Sequence, residues 1–385
     1  MTIKDVRAFA VDLGRGIKRS GPYQRGGRQP AAPTERYARY RGARSKASPG
    51  WKQCACLVTL DDGTVGLGLC GFAGPVASII NDHFRGHLVG EPVTATGKLY
   101  DVMVRISAAY GGGGLTAHAI SAVDLALWDA KGKYLGVPVY ALLGGPQKER
   151  IPCYATGFDL EWYRELGFRG FKLPNPYGPE DGTEGIRRTE EMVAAARDTL
   201  GPDAEIMLDC WMALDVEYTV RLGEALRPYR LRWIEDYLLP DDMAGFAEVR
   251  RRLPGQSLAT GEHWYLARPF MEAAGRRLVD YFQPDLQWAG GISACVRICH
   301  IAEAAGIAVA PHGGMNTPYG QHLAMAMPAV TWGERSGGVS SPGVPLAETV
   351  ALPGTPVIED GYLVPRDAPG FGIDLDDDWL AKVTV

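Results

Sequence analysis

Six ionisable residues recur at nearly constant distance in the second half of the chain. They are Asp209, Glu235, Glu262, Asp285, His312 and Glu334, separated by 26, 27, 23, 27 and 22 residues. Each closes a short apolar run, in LDCW, WIED, ATGEH, FQPD, APHGG and TWGE. The first three are carboxylates, which repel one another when brought together unless something positive sits between them. All-oxygen ligation suits a hard cation, and three carboxylates completed by water or substrate oxygens make an octahedral Mg²⁺ site. The bland alternative is that each acid pairs separately with Lys or Arg. Asp285 and His312 come next. A carboxylate beside a histidine fixes its tautomer and raises its basicity, which makes a general base. A satisfied core histidine is the competing reading, weakened because Gly313 and Gly314 leave the chain free to approach a ligand. Glu334 closes the series as a hydrogen-bond partner for reacting oxygens or as a salt bridge to Arg335. His263 points away from Glu262 while a strand lasts, and reaches the same place only if the chain turns there. Lys172 ends the run GFRGFK, ahead of the loop LPNPYGPEDGTEG.

These parts suit one class of chemistry. A sugar acid or similar carboxylate chelates the metal through its carboxylate, and the metal stabilises the enediolate left when the α-proton is removed. A Lys or His base with Mg²⁺ is one established way to do this. Three outcomes follow from an enediolate: loss of a β-hydroxyl, return of the proton on the other face, or ring closure.

Residues so placed need elements to hold them. A period near 25 residues is one strand, one helix and two loops, a repeat of supersecondary size. Alternating strands and helices imply a parallel sheet, and charged residues at successive C-terminal strand ends are how a (β/α)₈ barrel builds its site. The fold class is therefore read as α/β: a (β/α)₈-type TIM barrel with an N-terminal α+β capping domain completed by the C-terminal tail. The expected boundaries are 1–135 for the cap, 136–340 for the barrel and 341–385 for a tail packing back on the cap. Within the cap, Ile3–Leu13 reads as a strand. Cys54–Leu60 and Thr64–Cys70 flank Asp61-Asp62-Gly63 as a hairpin. The stretch from about Val76 to Ala108 has helical spacing, and Thr116–Leu135 is a helix stopped by Gly136-Val137-Pro138.

The irregular segment 14–50 carries ten basic residues between Arg15 and Lys46 against one acid, Glu35. In a chain of net charge −5 this suggests an anionic ligand and a substrate-covering loop. A solvated basic loop is the alternative. A nucleic-acid arm is disfavoured by Tyr23, Tyr37, Tyr40 and Trp51, which suggest a packed loop. Overall the acidic balance argues against a nucleic-acid partner. No apolar stretch is long enough to span a membrane, and the start, MTIKDVRAFAVDL, lacks the apolar core of a signal peptide. The seven cysteines lack ligand spacing for zinc and read as buried thiols of a cytoplasmic protein.

Taken together, the motifs resemble the enolase superfamily, in its mandelate racemase-like branch, over nearly the whole chain. AISAVDLALWDAKGKYLGVPVYALLGG (Ala119–Gly145) resembles the segment joining that family's cap to its barrel, and LDCW, WIED, GEH, QPD and PHGG follow in family order. Within the branch, YATG (Tyr154–Gly157), K-x-P with the GPEDG loop, LDCWM and GEH are most similar to L-rhamnonate dehydratases. The resemblance implies Asp209, Glu235 and Glu262 as Mg²⁺ ligands and His312–Asp285 as the acid/base dyad. It also implies Glu334 as oxyanion partner, Arg44 on a loop that closes over the substrate, and a symmetric homo-oligomer. Two departures stand out. Racemases of the branch carry K-x-K, whereas here Pro174 replaces the second lysine, which favours elimination over racemisation. The capping-loop histidine typical of rhamnonate dehydratases is replaced by Gln29. The expected catalytic set is His312, Asp285, Glu334 and Lys172; the expected substrate contacts are Arg44, His263, Gln29 and Trp264. The reaction implied is Mg²⁺-dependent dehydration of an aldonic acid to a 2-keto-3-deoxy acid. The alternatives are a different aldonic or aldaric acid, an acid sugar epimerase or racemase, and a non-catalytic sugar-binding protein.

Overall fold

The computed structural model describes residues 1–14, 25–336 and 339–385. Arg15, Lys18, Arg19 and Tyr23 of the basic segment lie outside the described residues.

The N-terminal part is an antiparallel sheet in the order β1-β2-β3, with β1 at Ile3–Val11, β2 at Gln53–Leu60 and β3 at Val65–Cys70. The hairpin turns at Gly63, held at φ 88, while Asp62 Oδ1 accepts the Thr64 N–H at 2.9 Å. The stretch expected to be helical from 76 to 108 is interrupted. It forms α1 (Ala73–Ser78), a π-helical turn (Ile79–Phe84), α2 (Arg85–Leu88) and, after a loop, α3 (Thr96–Ile106). Helix α4 (Leu115–Leu135) ends at Gly136 in the left-handed conformation a C-terminal glycine supplies. It lies backbone-close on the sheet. A Cβ on Gly68 would sit 1.9 Å from the Ala122 carbonyl oxygen, and one on Gly66 would sit 2.1 Å from that of Ala126. Only glycine permits that approach.

The rest is the α/β barrel. Its strands are β4 (Ile151–Thr156), β5 (Gly170–Pro174), β6 (Glu205–Asp209), β7 (Trp233–Glu235), β8 (Leu258–Thr260), β9 (Tyr281–Phe282), β10 (Ala308–Val309) and β11 (Gly333–Arg335). Neighbours pair in parallel from β10 back to β4, then to β11. A parallel bridge between Val309 and Val330 closes the ring. Tyr154, Met207, Trp233, Ala259 and Ala310 pack together in the interior, with Tyr281 and Trp332 against them. Side chains alternate in strands, so the next inward positions are Thr156, Lys172, Asp209, Glu235 and Glu334. The barrel floor is therefore aromatic and the layer above it is charged.

The tail does more than return to the cap. A strand β12 (Tyr362–Leu363) pairs antiparallel with β4 of the barrel, and the Phe371 N–H donates to Asp129 of α4. Only the last residues reach β1, where the Asp12 N–H donates to the Val383 carbonyl and the Val385 N–H to that of Ala10. Cap and barrel also meet at the barrel helix Gly291–Ala305. Ser121 Oγ accepts the N–H groups of Gly290 and Gly291, and Asp124 accepts the N–H and hydroxyl of Ser293. No helix among the described residues is long and apolar enough to cross a membrane.

Candidate active site

Asp209 and Glu235 are the last residues of β6 and β7 and sit side by side in register. Lys172 on β5 lies between them and Glu334. Its Nζ donates to Glu235 Oε1 and to Glu334 Oε1 at 2.8 Å, and stands 4.0 Å from Asp209 Oδ2. At 1 % exposure, burial disfavours its charge. Glu235, Glu334, Tyr154 and Asp209 outweigh burial and drive its pKa up. Lys172, expected among the catalytic groups, is thus held as an ammonium by the acids around it.

Glu334 is fully buried. Its Oε1 also accepts the Thr156 hydroxyl at 2.6 Å, and its Oε2 accepts the Gly313 N–H at 2.8 Å. Burial raises its pKa, but Lys172 and His312 overcome that and pull it down to about 2. Glu235 is held by Lys172 on one oxygen and by the Trp233 indole N–H at 2.7 Å on the other. Burial still pushes its pKa up to about 8, with Asp209, Glu334 and Glu262 adding to the rise against Lys172. Asp209 and Glu262 are likewise raised, first by burial. Part-buried Asp209 and buried Glu235 and Glu262 thus resist ionisation together and offer oxygen alone, the donor chemistry of a hard divalent cation.

After β8 the chain turns, so Glu262 and His263 both reach the mouth. His263 Nδ1 lies 3.0 Å from Asp236 Oδ2 and 3.4 Å from Glu262 Oε1. Asp236 is held in the left-handed region at φ 51 and also accepts the Thr260 hydroxyl at 2.7 Å. Among the described residues, Asp236, Glu262 and His263 place ligand atoms within 4.8 Å of one another, whereas Asp209, Glu235 and Glu262 are not gathered that closely. Asp236 is already engaged on both oxygens and its pKa is lowered. A histidine is also a poor ligand for Mg²⁺. The all-oxygen set of Asp209, Glu235 and Glu262 therefore suits Mg²⁺ by the type of its donor atoms rather than by their present spacing.

His312 Nδ1 is 2.8 Å from Asp285 Oδ2, and its Nε2 is 3.4 Å from Glu262 Oε2. Asp285 Oδ1 accepts the Gln287 N–H at 2.7 Å, which fixes the carboxylate. Burial disfavours the imidazolium, but Glu262, then Asp285 and Glu334, hold the pKa up at about 10. Neutralising the Glu262 carboxylate removes the largest support for that protonation.

Arg44 lies with its guanidinium 3.1 Å from the centre of the Trp211 ring. Burial lowers its pKa, while Asp209, Glu262 and Asp236 act the other way. It therefore faces the acids. Two other basic residues of the segment serve docking. Arg28 bonds Asp181 at 2.8 Å and Glu35 at 3.1 Å, and Arg41 bonds Glu180 at 3.2 Å. Its charge excess, expected to answer an anionic ligand, is thus partly spent on the acidic barrel loop after β5. Gln29 Oε1 accepts the Ser45 N–H at 2.8 Å, holding the loop that carries Arg44. Trp264 corrects the expectation of a substrate contact. It is 2 % exposed, its indole N–H donates to the Pro240 carbonyl, and its rings meet Phe246, Phe270 and Phe282 edge-on. The turn that carries His263 into the mouth sends its neighbour into the helix layer. Sequence reasoning passed over Thr156 and Asp236. Strand parity from Tyr154 could have found the first. The second needed a backbone turn at WIED that no pattern announced.

Comparison with known proteins agrees with this architecture. Residues 159–379 match the enolase C-terminal domain-like family model, and residues 49–144 match the N-terminal domain model of mandelate racemase / muconate lactonizing enzyme. The L-rhamnonate dehydratase of Saccharopolyspora erythraea is 38% identical over 360 residues, 90% of this chain and 89% of that protein. The crystal structure of rhamnonate dehydratase from Gibberella zeae complexed with Mg superposes with a TM-score of 0.90 at 33% identity, covering 100% of this chain and 96% of that one. A 3,6-anhydro-D-galactonate cycloisomerase from Zobellia galactanivorans gives 0.78 at 26% identity, covering both chains fully.

Proposed function

This chain belongs to the mandelate racemase / muconate lactonizing enzyme family of enolase-like proteins, and we propose that it is a Mg²⁺-dependent acid sugar dehydratase. It takes the C2 proton of an aldonic acid and expels the 3-hydroxyl as water, leaving a 2-keto-3-deoxy acid. The similarity to L-rhamnonate dehydratases supports the reaction class. Asp209, Glu235 and Glu262 would hold the metal. When bound, Mg²⁺ supplies positive charge that stabilises developing negative charge on the substrate carboxylate.

The observation that carries the reading is the His312–Asp285 pair, which can take and return a proton once the Glu262 charge that now favours its imidazolium is neutralised. On β5, Lys172 is engaged by Glu235 and Glu334, and Pro174 has no ionisable group. The proton-transfer role therefore falls to His312, oriented by Asp285. With two bases on opposite faces, an α-proton can leave one side and return on the other. With His312 alone, elimination is favoured. His312 Nε2 takes the C2 proton. The electron pair of that C–H bond forms the double bond as the C3–O bond breaks, and the imidazolium gives its proton to the departing hydroxyl, forming water. The resulting enol then becomes the keto acid. Asp285 stabilises the imidazolium between the two transfers. Lys172 and the Gly313 N–H hold Glu334 in place, and Arg44 offers a cation to the substrate from above.

The test is a panel of aldonic and aldaric acids assayed for 2-keto product with Mg²⁺ and with EDTA. Turnover of at least one aldonic acid, abolished by EDTA, is expected. Solvent deuterium at C2 of recovered substrate without keto acid would instead establish an epimerase or racemase.

A further inference from the structure

Trp288 is ringed by three imidazoles, at centroid distances of 4.9 Å for His312, 5.7 Å for His263 and 5.9 Å for His118. The first two belong to the barrel mouth. His118 comes from the cap, in the first turn of α4, and its ring lies nearly parallel to the indole at 29°. Its other aromatic neighbours are Phe72 at 4.9 Å and Tyr265 at 6.1 Å, and Phe72 meets Trp51 at 5.9 Å. One aromatic wall thus runs from the proton-transfer pair up into the cap.

Within that wall His118 is anomalous. It is 3 % exposed, and its Nδ1 is buried with no hydrogen-bond partner among the described residues. Buried polar side-chain atoms are satisfied in the large majority of cases, so an orphan beside a reaction site calls for a ligand. Gly71 borders that edge of the ring, where a methyl-sized group would be in ordinary contact. Gly71 has no side chain, and a Cβ placed on it would stand 3.7 Å from both Nδ1 and Cε1. Burial holds the imidazole neutral, down at about 4 despite the pull of Asp285. A neutral imidazole has one donor and one acceptor nitrogen, which suits an alcohol better than a carboxylate.

We propose that His118 is a substrate-recognition residue whose Nδ1 pairs with a hydroxyl of the acid sugar beyond its reacting carbons, while Trp288 and Phe72 pack against the carbon chain. This rests on the dehydratase reading above. C2 must lie at His312 Nε2, and Trp288 spans from His312 to His118. A chain leaving C3 across the indole therefore runs toward His118 and the cap. The cap then measures the length and hydroxyl pattern of the substrate.

The experiment compares kinetics on four- and six-carbon aldonic acids for the wild type, His118→Phe and His118→Asn, with Mg²⁺ saturating. For the preferred six-carbon acid, His118→Phe should raise KM about 10- to 30-fold, the effect of one lost hydrogen bond to a buried partner, with kcat within about threefold. A four-carbon acid, which ends short of His118, should lose less than about threefold in kcat/KM. His118→Asn, whose amide sits where Nδ1 sits, should recover part of the six-carbon preference. If the Phe variant does not fold, His118→Leu, which also lacks the nitrogen, is read by the same preference ratio. Equal losses at both chain lengths, a fall in kcat alone, or Asn behaving like Phe would overturn the recognition role and leave the dehydratase standing. If the wild type dehydrates no acid sugar, both fall.

Discussion

Lys172→Met keeps most of the stem and removes the charge. The ammonium contacts Glu235 and Glu334 and stands 4.0 Å from Asp209, at 1 % exposure. Removing one partner of a buried ion pair costs about 3–5 kcal/mol, because the remaining charge is left uncompensated. Here the orphaned charges are carboxylates in one layer, so the metal-free protein should sit in that range. Some relief comes from protonation, since Glu235 is already pushed up to about 8 and rises further without the lysine. The deficit should therefore be smaller at pH 6 than at pH 8. Mg²⁺ should reverse the comparison. With its cationic competitor gone, the carboxylate set should bind the ion at least about tenfold tighter, which is about 1.4 kcal/mol. Urea unfolding in EDTA, followed through the nine tryptophans, gives the first quantity, and calorimetric titration of Mg²⁺ gives the second. A variant as stable as the parent in EDTA, or one that binds Mg²⁺ more weakly, would show that Lys172 does not balance these acids.

Asp285→Asn should lower kcat about 10²- to 10⁴-fold with Mg²⁺ affinity intact, because His312 loses the group that orients it; a steady-state assay giving activity within threefold of the parent would refute the dyad. Arg28→Ala strips the partner of Asp181 and of buried Glu35; KM should rise more than kcat falls, and limited proteolysis should cut within residues 25–47 sooner. His322 is buried, with its Nδ1 accepting the Tyr140 N–H, and burial takes its pKa down to about 3. Its folded pKa lies below its unfolded value near 6.5, so the stability it contributes is whole above that value and is lost as pH falls toward 3. About 2 kcal/mol should go between pH 7 and 5, and His322→Gln should flatten that part of the urea-midpoint curve. Gly68→Ala drives a methyl to within 1.9 Å of the Ala122 carbonyl; expression should yield little folded protein, visible as loss of the cooperative thermal transition.

Much of the site was legible because chemistry and periodicity coincided. Asp209, Glu235 and Glu334 lie on strands, where side chains alternate, so their position at strand ends translated directly into a shared inward face. Asp285 and His312 lie three residues beyond β9 and β10, yet the spacing still paired them at 2.8 Å. What could not be read were turns. Asp236 and His263 meet only because the chain leaves strand geometry at φ 51 after Glu235 and again after Thr260. The same departure sent Trp264 outward, against expectation. The surroundings of Lys172 were hidden for another reason: its partners are two carboxylates remote in sequence, and no local pattern carries their distance. In the tail, GYLVP is a strand-like piece, but nothing local could show that Tyr362 and Leu363 would pair with β4 of the barrel rather than with the cap.

The hydrogen bonds from α4 to the barrel helix Gly291–Ala305 make the two domains one folding problem. A helix start leaves backbone N–H groups without partners of their own. Here Ser121 takes those of Gly290 and Gly291, and Asp124 takes that of Ser293. The helix that follows the Asp285 strand is thus terminated by side chains from the other domain. Cut free of its cap, the barrel would expose unmet donors one turn from its proton-transfer pair, so excising it should yield no independent enzyme. For the same reason the cap is a poor unit for shuffling between relatives, since a graft must bring matching Ser and Asp positions with it. Whatever selectivity the cap exerts has been shaped in place, on a helix the barrel cannot do without.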